Sequence, residues 1–250
     1  MSEKFTTLKK LIKYEIKKTW KIITLICGII ICAGIFLGIV GESSNNSTLN
    51  TIAFLIFMLQ ASAFMLTFVY LPVRYYKSLY SAEGYLAFTL PASIKQVISS
   101  KMLTGAIWTF TVFVSIIIGV CLHNESSRNV FLSEDIGGSI VAFIILSLIA
   151  VSNIFISNFS VTIGCLWKKH KLIGTIICYV FTCFVVCALA SLLYRGLAAI
   201  MYNTGGNHDG TISELQASII FAAEAISAVI LCFLLNHTSA VITEKTLNLE

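Results

Sequence analysis

Apolar residues run along this chain in long unbroken blocks, and the polar residues collect between them. Six blocks stand out: Ile22–Val40, Thr51–Leu71, Met102–Leu122, Val141–Leu166, Leu172–Tyr194 and Ala217–Leu235. Each approaches or exceeds the ~20 apolar residues that a helix needs to cross about 30 Å of hydrocarbon. The blocks are continuous rather than alternating, which excludes a membrane β-barrel. In lipid, a helix satisfies its backbone polar groups within its own segment. The pattern therefore predicts an all-α polytopic membrane protein with six transmembrane helices, built as a single domain over residues 1–250. The first five blocks contain no Asp, Glu, Lys or Arg, and the sixth contains only Glu224.

Composition agrees with this reading. Hydrophobic types make up 57% of the 250 residues and charged types 12%, whereas soluble domains carry roughly 45–50% and about 25%. With a mean hydropathy of +0.90, a soluble domain, a disordered chain, a collagen and a coiled coil are all excluded. The net charge of +5 does not mark a nucleic-acid binder, because its placement follows the membrane. With the N-terminus inside, the cytoplasmic face holds Lys4, Lys9, Lys10, Lys13, Lys17, Lys18, Lys21, Arg74, Lys77, Lys95, Lys101, Lys168, Lys169, Lys171 and Lys245. The outer face holds only Arg128 and Arg195. Lys and Arg concentrate on the cytoplasmic side of membrane proteins, so the expected topology has both termini inside. The first block reads as an uncleaved anchor, since no A-x-A site follows Val40. The expected outer loops, 41–50, 123–140 and 195–216, are too short to fold as domains.

Two inner segments carry most of the remaining information. Residues 3–21 place Phe5, Leu8, Leu11, Ile12, Ile16 and Thr19 at helical spacing, with lysines on the other face. This predicts an amphipathic helix lying in the interface, its lysines reaching anionic head groups. Residues 72–101 form the second segment, whose first twenty residues are bracketed by the only two prolines, Pro72 and Pro91. Pro72 is expected to end the second span. A short helix over Arg74–Ala82 would follow, with Gly84 as its breaker. Tyr75, Tyr76, Tyr80, Tyr85 and Phe88 make this stretch aromatic, and aromatic patches with an Arg mark protein contacts. Packing beneath the helices is the alternative. Ser93-Ile-Lys-Gln96 has the form of a capping box, so the third helix should begin near Ser93.

Catalytic signatures are missing from the sequence. No P-loop, H-E-x-x-H or G-x-S-x-G motif occurs. The eight cysteines form no C-x-x-C pair, and the four histidines lie far apart. An enzyme is not expected, nor a bound metal or cofactor. Within the spans, Glu224 is the one acid, and charge there is costly. It either serves a path for ions or substrate or hydrogen-bonds to a neighbouring helix. Asn153, Ser157, Ser160 and Gly164 share one face of the fourth span, with Asn158 and Thr162 beside them. Such a stripe is either a polar substrate path or interhelical packing. Gly34 and Gly38 form a GxxxG pair, a candidate dimer contact.

The segment Arg74-Tyr-Tyr-Lys-Ser-Leu-Tyr-Ser-Ala-Glu-Gly-Tyr-Leu-Ala-Phe-Thr-Leu-Pro-Ala-Ser93, with Ser100-Lys101 and Trp108, resembles the type-2 ABC exporter permeases of Gram-positive bacteria. In that family a GYL-FTLP stretch follows the second span and an SK pair opens the third. The tail Glu244-Lys-Thr-Leu-Asn-Leu-Glu250 looks like the family's K-LNLE ending. The resemblance implies one transmembrane half of a transporter in the bacterial plasma membrane. Two such halves, identical or paralogous, would pair with separate P-loop ATPase subunits, which would hold the ATP and Mg. It implies that residues 72–101 contain a coupling helix docking on the ATPase. Arg74, Tyr76, Lys77, Tyr80, Glu83, Gly84, Tyr85, Phe88, Leu90 and Pro91 would form that surface. A substrate path between the halves, with Glu224, Asn153, Ser157 and Ser160 as lining or packing residues, would carry an amphipathic peptide, drug or lipid-like molecule. The competing readings are an ion-coupled secondary transporter using Glu224 and a non-transporting scaffold or immunity protein.

Overall fold

A computed structural model of the chain describes residues 2–41, 47–81, 84, 93–121, 136–167, 170–205 and 214–247. They form six helices: α1 (Ser2–Gly41), α2 (Ser47–Tyr80), α3 (Ile94–Cys121), α4 (Ile136–Gly164), α5 (Lys171–Gly205) and α6 (Glu214–Leu247). No strand occurs among the described residues. Each helix contains a stretch long and apolar enough to cross a membrane, and the six predicted blocks fall on these helices except Cys165 and Leu166, which turn after α4, and Leu122, which lies outside the described residues.

Several boundaries differ from expectation: α4 begins at Ile136 and α5 runs to Gly205, both inside expected outer loops, and α6 continues past Leu235 to Leu247. Residues 3–21 are not a separate helix; they are the first half of α1, which runs unbroken for 40 residues. At ~1.5 Å per residue that is about 60 Å, twice the hydrocarbon thickness. Lys, Leu and Glu favour helix, and neither Gly nor Pro occurs before Gly28, so nothing local breaks it. Pro72 likewise does not end its helix: α2 continues through it to Tyr80. The expected short helix from Arg74 is therefore the end of α2. The proline removes one N–H from the ladder, but Leu71 and Tyr75 on either side are buried. Phe68, whose carbonyl loses its usual donor, packs on the core. Membrane helices tolerate such prolines where neighbours surround the freed carbonyl.

The start of α3 matches the capping-box reading. The Ser93 N–H donates to Gln96 Oε1 at 3.2 Å, and the Gln96 N–H donates to Ser93 Oγ at 3.4 Å. These bonds satisfy donors that a helix start leaves open. Ser93→Ala is expected to destabilise this helix start by about 1 kcal/mol. Faster amide exchange over residues 94–97, with the middle of α3 unchanged, would be the measured sign.

The chain divides into two compact units, Met1–Ile154 and Phe155–Glu250, with the boundary inside α4. In the first unit α1 is central, packing along both α3 and α2, which touch each other little. Its buried positions Thr19, Ile23, Ile26, Ile30, Ala33 and Leu37 alternate spacings of four and three, a stripe down one face. Ile23, Ile26 and Ile30 join Ala63 and Leu71 of α2, Trp108 and Val112 of α3, and Ile154 of α4 in one cluster. Paired contacts of Glu15 with Lys101 and Thr19 with Trp108, and the approach of Gly34 to Gly119, advance in the same direction, so α1 and α3 run parallel.

Gly34 is a point of close approach to α3. A Cβ built there would lie 2.5 Å from the Cα of Gly119. Gly34 therefore serves α1–α3 packing within the chain, and the dimer contact expected of it has no free surface at this residue.

In the second unit a tight turn joins α4 to α5. The N–H groups of Leu166 and Trp167 donate to the carbonyls of Ile163 and Gly164 at 3.0 and 3.2 Å. Gly164 and Thr175 meet closely there, and the Trp167 ring covers Gly174. Beyond this turn α5 is nearly bare: none of its most apolar stretch is buried, against 44% in α3. In water that surface would be untenable, whereas lipid tails cover it without cost.

Candidate functional site

The end of α2 is built by helical periodicity. Leu71, Tyr75, Ser78 and Leu79 are buried, while Val73, Lys77 and Ser81 face outward. Tyr76 and Tyr80 lie half-buried on the flank, their rings stacked with centroids 6.4 Å apart. Tyr75 also meets Tyr80 edge-on at 6.3 Å. The aromatic surface is thus narrower than the sequence suggests, because Tyr75 is committed to the core. Arg74 is half-buried, with its Nε and one terminal nitrogen shielded from solvent.

Past α2, the Gly84 N–H donates to the Ser81 carbonyl at 2.8 Å. A Cβ on Gly84 would lie 2.1 Å from the Leu79 carbonyl oxygen, so this turn has room for glycine only. Of the proposed coupling surface, Arg74, Tyr76, Lys77, Tyr80 and Gly84 are described. Glu83, Tyr85, Phe88, Leu90 and Pro91 lie outside the described residues.

Beside this end of α2 the structure reveals a polar network that the sequence reading did not assemble. Lys101 of α3 donates to Glu15 of α1, with 7% and 14% of the side chains exposed. One turn on along α1 and two along α3, the Trp108 indole N–H donates to Thr19 Oγ1 at 2.8 Å. Thr19 in turn donates to the Glu15 carbonyl at 2.9 Å. Lys18 and Arg74 add positive charge to the field at Lys101. The signal was present: Glu15 and Thr19 precede Ile23 at spacings of four, placing an acid and a hydroxyl on the buried stripe. Within the segment read as interfacial, neither residue was assigned a partner.

The stripe on α4 is closed rather than open. Ser157, Asn158, Ser160 and Thr162 are buried and Asn153 is half-buried. Ser160 Oγ donates to the Ile156 carbonyl at 2.7 Å and Thr162 Oγ1 to the Asn158 carbonyl at 3.1 Å. These two hydroxyls return their protons to their own helix, a pattern suited to close packing.

Glu224 is half-buried on α6, and its backbone carbonyl accepts from Ser227 Oγ at 2.8 Å. It stands ten residues after Glu214, the first residue of α6. Among the described residues no three His, Cys, Asp or Glu side chains come together as metal ligands.

Comparison with family models, curated proteins and solved structures returned no match to this chain.

Proposed function

We propose that this chain is the transmembrane permease half of an ATP-driven exporter in a bacterial plasma membrane. The observation that carries the reading is the aromatic Tyr- and Phe-rich segment between α2 and the capped start of α3, within a chain of six apolar helices. A short segment held between two long helices suits a docking element. Movement imposed on it by a soluble partner reaches both helices directly. The exposed Lys77 beside the Tyr76–Tyr80 pair supports a contact there. In this reading the chain has both termini in the cytoplasm and pairs with a second permease half. Separate P-loop ATPase subunits bind ATP and Mg and hydrolyse the nucleotide. Closure of the ATPases moves the docking segments, and the path between the halves switches sides to release a peptide, drug or lipid-like molecule.

The test is purification of the tagged chain from its host in mild detergent. A stoichiometric P-loop ATPase is expected, lost or uncoupled on Tyr85→Ala or Glu83→Lys. A chain that emerges alone after cross-linking overturns the proposal. In that case Glu224→Gln separates the remaining readings. Loss of protonophore-sensitive transport in that variant favours a secondary transporter. No transport in either form favours a scaffold or immunity protein.

A further inference from the structure

Polar contacts between α1 and α3 gather at one end of their interface. The Glu15–Lys101 ion pair and the Trp108–Thr19 hydrogen bond lie at the lysine-rich end of α1. Farther along, the cluster that includes Ile23, Ile26, Ile30 and Val112 is apolar, and Gly34 closes on Gly119. Apolar burial is non-directional. A buried ion pair and an indole hydrogen bond are directional, and a partly buried polar pair can specify register.

The placement of this end matters. Lys101 lies seven residues after Ile94, the first residue of α3, about two turns in. Between them the helix is regular, and its first turn is tied down by Ser93 and Gln96. A displacement delivered to Ser93 therefore reaches Lys101 without a hinge. Glu15, 86 residues earlier in the chain, receives it. α1 has no proline, so its two halves move together.

We infer that Glu15 and Lys101, with Thr19 and Trp108 as a second tie, form a latch joining the lysine-rich half of α1 to the first two turns of α3. The latch passes displacement of the segment before Ser93 directly to α1. The four are positioning residues: they touch neither substrate nor nucleotide and act by keeping two helices in one register. The structural latch stands by itself. Its role in coupling rests on the proposed docking of the α2–α3 segment.

The experiment measures the distance between spin labels on non-canonical residues at the exposed positions Lys13 and Leu103, in the full chain in nanodiscs. The eight cysteines stay in place. The parent protein is expected to give one narrow distribution. Glu15→Gln or Lys101→Met should broaden it at least twofold, and Trp108→Phe less. The exchanged pair Glu15→Lys, Lys101→Glu should restore it, because net charge and pairing are kept. Single variants as narrow as the parent overturn the latch. An exchanged pair as broad as the single variants also overturns it. Should Lys101→Met fail to fold, Glu15→Gln and Trp108→Phe still decide the question. This readout needs no ATPase, so failure of the exporter reading leaves it intact. With an ATPase bound, Glu15→Gln should lower transport per ATP at least fivefold while hydrolysis stays within twofold. An unchanged ratio overturns the coupling role.

Discussion

Lys101→Met alone is expected to destabilise the protein by about 3–5 kcal/mol, the usual cost of leaving one member of a buried ion pair without its partner. Both side chains qualify as buried, with 7% and 14% exposed. Removing Lys101 leaves the Glu15 carboxylate in a low-dielectric interface. Removing both charges should cost far less. In Glu15→Leu with Lys101→Met, well-packed apolar groups replace two desolvated ions, an exchange that is often neutral. Lys18 and Arg74 would lose their acidic neighbour, which sets the expected cost of the double variant at about 1–2 kcal/mol. Thermal unfolding in a fixed detergent, arranged as a double-mutant cycle, gives the comparison. A double variant whose loss equals the sum of the two single losses would show that the pair is not coupled.

The second large effect concerns the approach of α1 to α3. Gly34→Val should destabilise at the upper end of the roughly 1–3 kcal/mol typical of overpacking, or beyond it. The reason is the identity of the obstructing atoms. A Cβ at Gly34 meets the Cα, C and O of Gly119 at 2.5–2.7 Å, and backbone atoms cannot turn aside. The helices would have to separate along the whole seam, loosening Ile30 and Val112. Gly119→Ala should be milder. Its nearest neighbours would be Gln60 Nε2 at 3.1 Å, the end of a flexible side chain, and the Ile30 carbonyl at 3.3 Å. The predicted order, Gly34→Ala worse than Gly119→Ala, is read from apparent melting midpoints. The reverse order would mean that the two glycines do not meet as described.

Much of the fold was legible because the membrane imposes a simple rule. About twenty apolar residues in a row make a helix, whatever else surrounds them. That is why the six blocks fall on the six helices. The capping box at Ser93 and Gln96 was equally legible, because its four residues act on one another without help from the rest of the chain. Pro72 shows where local rules give out. Its missing N–H predicts a helix end, yet burial of Leu71 and Tyr75 carries α2 onward to Tyr80. The GxxxG pair shows the same limit. Close approach was readable at Gly34, but its partner was not, since Gly119 lies two helices away.

Among the candidate site residues, the periodicity of α2 sorts Tyr75 inward and leaves Tyr76, Lys77 and Tyr80 at the edge, a distinction that a count of aromatics does not make. Glu15 was visible in the sequence only as one acid among lysines. Its importance comes from Lys101, and two residues 86 positions apart become partners only when α1 and α3 lie parallel. The sequence by itself determined the six apolar helices of the described residues and the capped start of α3, because each follows from neighbours within one segment. The tertiary structure alone decided the register of α1 on α3, the partner of Gly34 and the pairing of Glu15 with Lys101. Those depend on which faces meet, and the energy of a contact between helices is not written in either helix taken alone.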